Sequence, residues 1–331
     1  MSITQVAYGR AVSITLSLVV LVSTGCSISR PLPSTPTHCS IESASTYHTY
    51  DLRVPQSKYV YVLVDKSYGY QYTNNDLGLV QSIVVGNIGP GDRLVVAWMS
   101  LERTTGSIFF DEQIEQIKPP RFSPTLTPPA MTSTLTPGGP TTIKGMQIQT
   151  SEAIERNNDA SEEQHNCLIG QWNIESDQLY LEWQTRQQGA VDEFVDKGHH
   201  QIPLLASEEV ESGKLVYESL SVASRMLRSS IGKNSYAKYL LIVFSDLDDW
   251  RDRKPDGTTI DFRGIGVMVI SQPCKYEVDC GVKATWEQQL ASFGASQPEF
   301  LVQEDNIPRQ LDSCLRFPSP HLPCTQEENP S

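Results

Sequence analysis

The chain has 331 residues, of which 39% are hydrophobic and 20% charged. That is enough apolar material for a sizeable buried core, and it excludes a disordered or fibrous protein. Lys and Arg total 26 against 39 Asp and Glu, a formal charge of −13. A surface of that sign repels phosphate backbones, so nucleic acid is excluded as the expected partner.

The N-terminus reads as an export signal. Arg10 and the free amine precede an apolar run, Ala11 to Val22, broken only by Ser13, Thr15 and Ser17. A run this short suits a signal peptide better than a membrane span. Val22-Ser23-Thr24-Gly25-Cys26 follows, and it resembles a bacterial lipobox, although Ser23 stands where leucine is usual. The resemblance implies lipidation of Cys26 after removal of residues 1–25. The expected location is then extracytoplasmic, anchored by lipid to the membrane of a bacterial cell envelope. An ordinary secretory signal cleaved nearby is the alternative.

Six cysteines remain: Cys39, Cys167, Cys274, Cys280, Cys314 and Cys324. An even number in an exported chain points to disulfides. The nearest pairs are Cys274 with Cys280 and Cys314 with Cys324, which leaves Cys39 with Cys167. Free thiols or a zinc site are the alternatives, but no CxxC spacing supports zinc.

Residues 26–56 read as a tether rich in Ser, Thr, Pro and Tyr. Tyr59 to Val64 is a continuous β-branched and aromatic run, the pattern of a strand buried on both faces, and it ends at Asp65. Asn74, Asn75 and Asp76 offer caps to a helix carrying Leu77, Val80, Val84 and Ile88. Gly89-Pro90-Gly91-Asp92 ends it. Leu94–Leu101 and Ser107–Ile114 read as a hairpin. An insertion spans 119–200, opening with seven prolines and seven threonines between residues 119 and 142, a composition that packs no core. A helix is expected from Ile174 to Val195. Beyond it come a helix with Val216, Leu220, Ala223 and Leu227 on one face, a buried strand from Tyr239 to Phe244, another from Ile265 to Ile270, and a helix from Trp286 to Phe293. Buried strands alternating with helices predict an α/β fold: one domain over 57–300 with a doubly wound, mostly parallel sheet, helices on both faces and one antiparallel edge hairpin. Residues 301–331 read as a C-terminal extension.

In such sheets ligands bind beyond the carboxyl ends of the strands. Here those ends read Asp65-Lys66-Ser67 and Ser245-Asp246-Leu247-Asp248-Asp249. Carboxylates and hydroxyls are the hard oxygen ligands that magnesium or calcium takes.

With these residues the chain resembles the von Willebrand factor type A domain over roughly 57–115 and 200–300. The family's first strand ends in Asp-x-Ser-x-Ser, matched by Asp65 and Ser67, with Gly69 at the last position. Its fourth strand ends in Ser-Asp, matched by Ser245 and Asp246. The family's threonine would fall near Ser212 to Lys214, where none is present. The resemblance implies a degenerate metal ion-dependent adhesion site holding Mg or Ca through Asp65, Ser67, Asp246 and Asp248. The alternative is a built-in cation, Lys66 or Lys214, that replaces the metal. It also implies a non-enzymatic binding module for a protein or cell-surface ligand. One alternative is a scaffold without metal whose insertion contacts the partner. Another is a magnesium-dependent phosphatase resembling the haloacid dehalogenases, with Asp65 as nucleophile, although Ser67 stands where that chemistry needs an acid.

Overall fold

A computed structural model describes residues 42–67, 70, 72–99, 108–122, 144–206, 215–233, 236–247, 257–271, 277–302 and 307–316. Side chains of 144–158, 205–206, 277–283 and 302 are not included in that description. Six strands form one sheet: β1 (Lys58–Asp65), β2 (Arg93–Met99), β3 (Ile108–Gln113), β4 (Lys238–Phe244), β5 (Gly266–Ser271) and β6 (Glu299–Val302), in the spatial order β3-β2-β1-β4-β5-β6. All pairings are parallel except β2 with β3. The α/β expectation holds at that level, as does the antiparallel edge hairpin.

The two continuous apolar runs are the central pair. Tyr59 faces Tyr239 and Val64 faces Phe244 in register, and neither strand reaches solvent on either side. One face of β1, carrying Val60, Val62 and Val64, joins a core with Leu77, Val84, Phe194, Ile202, Leu311 and Leu315. The other face, carrying Tyr59, Tyr61 and Leu63, joins a core with Val216, Leu220, Leu227, Trp286 and Leu290. Helical residues therefore fill the core on both sides.

The helices are α1 (Thr73–Leu79), extended by a π-helical turn Val80–Val84 and a 3-10 turn Val85–Asn87, then α2 (Lys144–Ala206), α3 (Val216–Ser230), α4 (Glu277–Ser292) and α5 (Ile307–Arg316). Asn74, Asn75 and Asp76 do not cap α1: they lie inside its first turn, and Tyr72 at the cap position makes no side-chain cap bond. The helix expected over 174–195 is α2, 63 residues long. Its buried Phe194 places part of the insertion in the core. The C-terminal extension likewise contributes to the fold, since Ile307, Leu311, Cys314 and Leu315 of α5 are buried.

The described part of the tether, 42–56, is a strap along α2. The Ala44 amide donates to the Asn166 carbonyl at 3.0 Å, and the His48 amide to Asn173 Oδ1 at 2.9 Å. Tyr50 donates to Asp177 Oδ1 at 2.7 Å, and the His48 ring lies 3.2 Å from the same carboxylate. Any side chain at Gly170 would run into the Glu42 carbonyl, so the strap approaches closely only because that position is glycine. Cys167, on α2, and Cys314, on α5, are each disulfide-bonded.

At the amino end of the sheet, two register partners act together. The Lys58 ammonium donates to the carbonyls of Asn87 at 2.6 Å and Leu315 at 3.0 Å, and Lys238 donates to the carbonyl of Cys314 at 2.9 Å. Both lysines thus serve the last carbonyls of α5, where the helix dipole favours cations. Burial, then the charge of Lys58, pulls Lys238 down to about 8. Unfolded, Lys238 keeps its proton up to about 10.5, so between these values the unfolded chain binds more protons and stability rises with pH. Burial pushes Tyr59 up to about 12 from 10.0; there the folded chain holds the extra proton and stability falls. Thermal unfolding should therefore show a midpoint that climbs from about pH 8, peaks near pH 10 and then drops. Lys238→Met should flatten the climb, worth roughly 3 kcal/mol, and leave the drop in place.

Candidate functional site at the carboxyl edge of the sheet

The parallel pairing of β1 with β4 brings Asp65 and Ser245-Asp246 to one end of adjacent strands, across a sequence separation of 180. Ser245 is joined directly to Asp65: its hydroxyl donates to Oδ2 at 2.7 Å. The other carboxylate oxygen, Oδ1, accepts the Ser67 amide at 2.8 Å. Asp65 itself is 0% exposed, so these bonds replace the water its charge has lost. Its main-chain carbonyl accepts the Thr73 hydroxyl at 2.9 Å, which ties α1 to the strand end.

Beyond Ser245 the chain turns sharply. Leu247 has φ of 55°, a left-handed conformation that a side chain of this size rarely adopts. Its amide donates back to Ser245 Oγ at 2.9 Å, which holds the turn. Ser245 is therefore donor to one strand end and acceptor for the other. Asp246, between them, is partly exposed. Strain of this kind, fixed by surrounding bonds, is what binding and catalytic turns commonly carry.

Tyr70 and Asp76 complete the edge. Asp76 is 0% exposed and accepts the Tyr70 hydroxyl at 2.6 Å. Burial first, then the charges of Asp76, Asp65 and Asp246, hold the Tyr70 phenol far above its ordinary value. Three carboxylates thus act on one phenol, which remains a proton donor at any physiological pH. Lys66 turns to the neighbouring strand, its ammonium 4.9 Å from the centroid of the Trp98 ring.

Of the residues singled out in the sequence, Asp65, Ser67 and Asp246 come together here. Asp248, Lys214, the segment Ser212 to Lys214, Cys26, Cys39, Cys274 and Cys324 lie outside the described residues, and Cys280 is described only as backbone of α4. Tyr70, Thr73 and Asp76 were missed. Asp76 has the look of a helix cap, and Tyr70 sits in the loop before α1 with no spacing to mark it. Among the described residues no helix is long and apolar enough to cross a membrane. No protein-family model matches the chain, and no curated protein matches it.

Replacing Tyr70 with Phe leaves a buried Asp76 oxygen without its donor. Tyr70→Phe should lower the stability measured by urea unfolding by about 1–3 kcal/mol with little change in the slope.

Proposed function

We propose that the chain is a binding module of the von Willebrand factor type A kind, with a doubly wound sheet, that engages a protein or cell-surface ligand through the carboxyl edge of β1 and β4. In this reading it is exported, anchored outside the cytoplasm by lipid on Cys26, and stapled by disulfides paired as Cys274–Cys280, Cys314–Cys324 and Cys39–Cys167. The observation that carries it is the bond between Ser245 and Asp65, which sets the partly exposed Asp246 beside a buried carboxylate at the edge where open α/β sheets bind ligands. The strand order, with β1 and β4 central, supports the same reading.

A magnesium or calcium ion belongs to this proposal. Asp65, Ser67, Asp246 and Asp248 would hold it, and it would supply positive charge for an acidic group of the partner. The donors are of the right kind, all oxygen. Yet both Asp65 oxygens already accept a bond within the protein. Among the described residues, no group of three or more His, Cys, Asp or Glu is placed to hold an ion. The occupied Asp65 oxygens favour a second reading, a type A-like scaffold that binds its partner without metal, with the 119–200 insertion supplying part of the surface. The burial of Asp65 speaks against the third, a phosphatase, because an aspartyl nucleophile has to reach phosphorus.

Calorimetric titration of residues 27–331 with calcium and then magnesium chloride separates the first two readings. The metal-dependent form predicts saturable heat that disappears in Asp246→Ala. Absence of heat in the native protein selects the metal-free scaffold.

A further inference from the structure

The strap leaves a cleft of about 630 Å³ against α2, within the range of small-ligand sites. It lies at the amino end of the sheet, since its lining residues Pro55 and Pro90 come just before β1 and β2. The carboxyl edge with Asp65 and Asp246 is at the other end.

The cleft has an aromatic wall. Tyr180 presents its ring to the cleft, backed by the largely buried Trp183 with centroids 5.8 Å apart at 42°, while Tyr50, outside the lining, lies 5.0 Å from Tyr180. Trp183 is held in place, because its Nε1 donates to the Ile117 carbonyl at 3.0 Å while Gln187 Nε2 donates to the same oxygen at 2.7 Å. A wall fixed in this way needs little ordering when a ligand arrives.

Its polar lining is forked and balanced. Arg53 donates to both oxygens of Asp51, at 2.9 and 2.8 Å. Gln184 also lines the cleft, and its amide has no hydrogen-bond partner among the described residues. The single cation and single anion of the lining cancel, in a chain whose overall charge is −13. An anionic ligand would have to take Arg53 from Asp51, and a cationic one would have to take Asp51 from Arg53. A neutral ligand displaces neither.

Ring faces beside amide, carboxylate and guanidinium groups suit a neutral polyhydroxyl ring. Its C–H face lies on the aromatic wall, and its paired hydroxyls meet the forked polar groups. We propose that this cleft is a binding site for a neutral saccharide, independent of the carboxyl edge. A polyproline II peptide also docks on aromatic grooves, where a ring N–H meets its carbonyls, but the Trp183 N–H is already given to Ile117.

Isothermal titration of the full chain with cellotetraose, N-acetylchitotriose and maltotriose, alongside a decaproline peptide, tests the assignment. At least one saccharide should bind saturably and perturb tryptophan fluorescence. Tyr180→Ala and Gln184→Ala should each weaken that binding by about tenfold or more, and Asp246→Ala should leave it unchanged. Three results would overturn the proposal: no saccharide binding to the native chain, saccharide binding untouched by both cleft substitutions, or saturation by decaproline alone.

Discussion

The Ser245 hydroxyl and the Asp65 carboxylate close the seam between the two central strands, at 2.7 Å and out of reach of water. A buried carboxylate without donors would destabilise the fold by several kcal/mol. Here the Ser67 amide and the Ser245 hydroxyl take one oxygen each, so the charge is held by groups from two strand ends. The same hydroxyl receives the Leu247 amide and so stabilises a left-handed turn that costs roughly 1–2 kcal/mol for a residue other than glycine. The position of Asp246 follows from these contacts, because it lies between the serine that grips Asp65 and the strained leucine.

The two ends of the sheet are built on opposite charges. At the carboxyl end, Tyr70 is bonded to the buried Asp76 carboxylate and also feels the charges of Asp65 and Asp246. At the amino end, Lys58 and Lys238 hold the closing carbonyls of α5, and Asp92 supports Lys58 both by charge at 3.5 Å and by accepting its amide at 2.7 Å. The Gly89–Asp92 turn that places Asp92 relies on Gly91 at φ 84°, where an added Cβ would stand 3.2 Å from Ser57. The buried carboxylates at one rim and the lysine anchors at the other are thereby separated by the length of β1.

Much of the sheet was readable because burial on both faces writes itself as an unbroken apolar run. Tyr59–Val64, Tyr239–Phe244 and Ile265–Ile270 carry that signal, and they became β1, β4 and β5. Strand β6 has only four residues, Glu299–Val302, too few for periodicity to register. Helix α5 lies in a stretch that reads as an extension, although Ile307, Leu311, Cys314 and Leu315 sit at helical spacing. Helix α2 buries Trp183, Phe194 and Ile202 but leaves Leu181 and Leu204 exposed, so no apolar stripe marks its full length. The strap was unreadable for another reason. His48 and Tyr50 find their partners, Asn173 and Asp177, more than 120 residues away, and such pairings leave no local pattern. At the edge, the acids at the strand ends were visible as chemistry, whereas Tyr70 and Thr73 contribute through contacts that only the folded chain creates.

The account rests on the two strand ends acting as one unit, and a double-mutant cycle measures that directly. Urea unfolding of the native chain, Asp65→Asn, Ser245→Ala and the pair gives the coupling between the two side chains. A coupling of about 1 kcal/mol or more is predicted for a buried charged hydrogen bond. Additivity within roughly 0.3–0.5 kcal/mol, as for sites that do not touch, would contradict it.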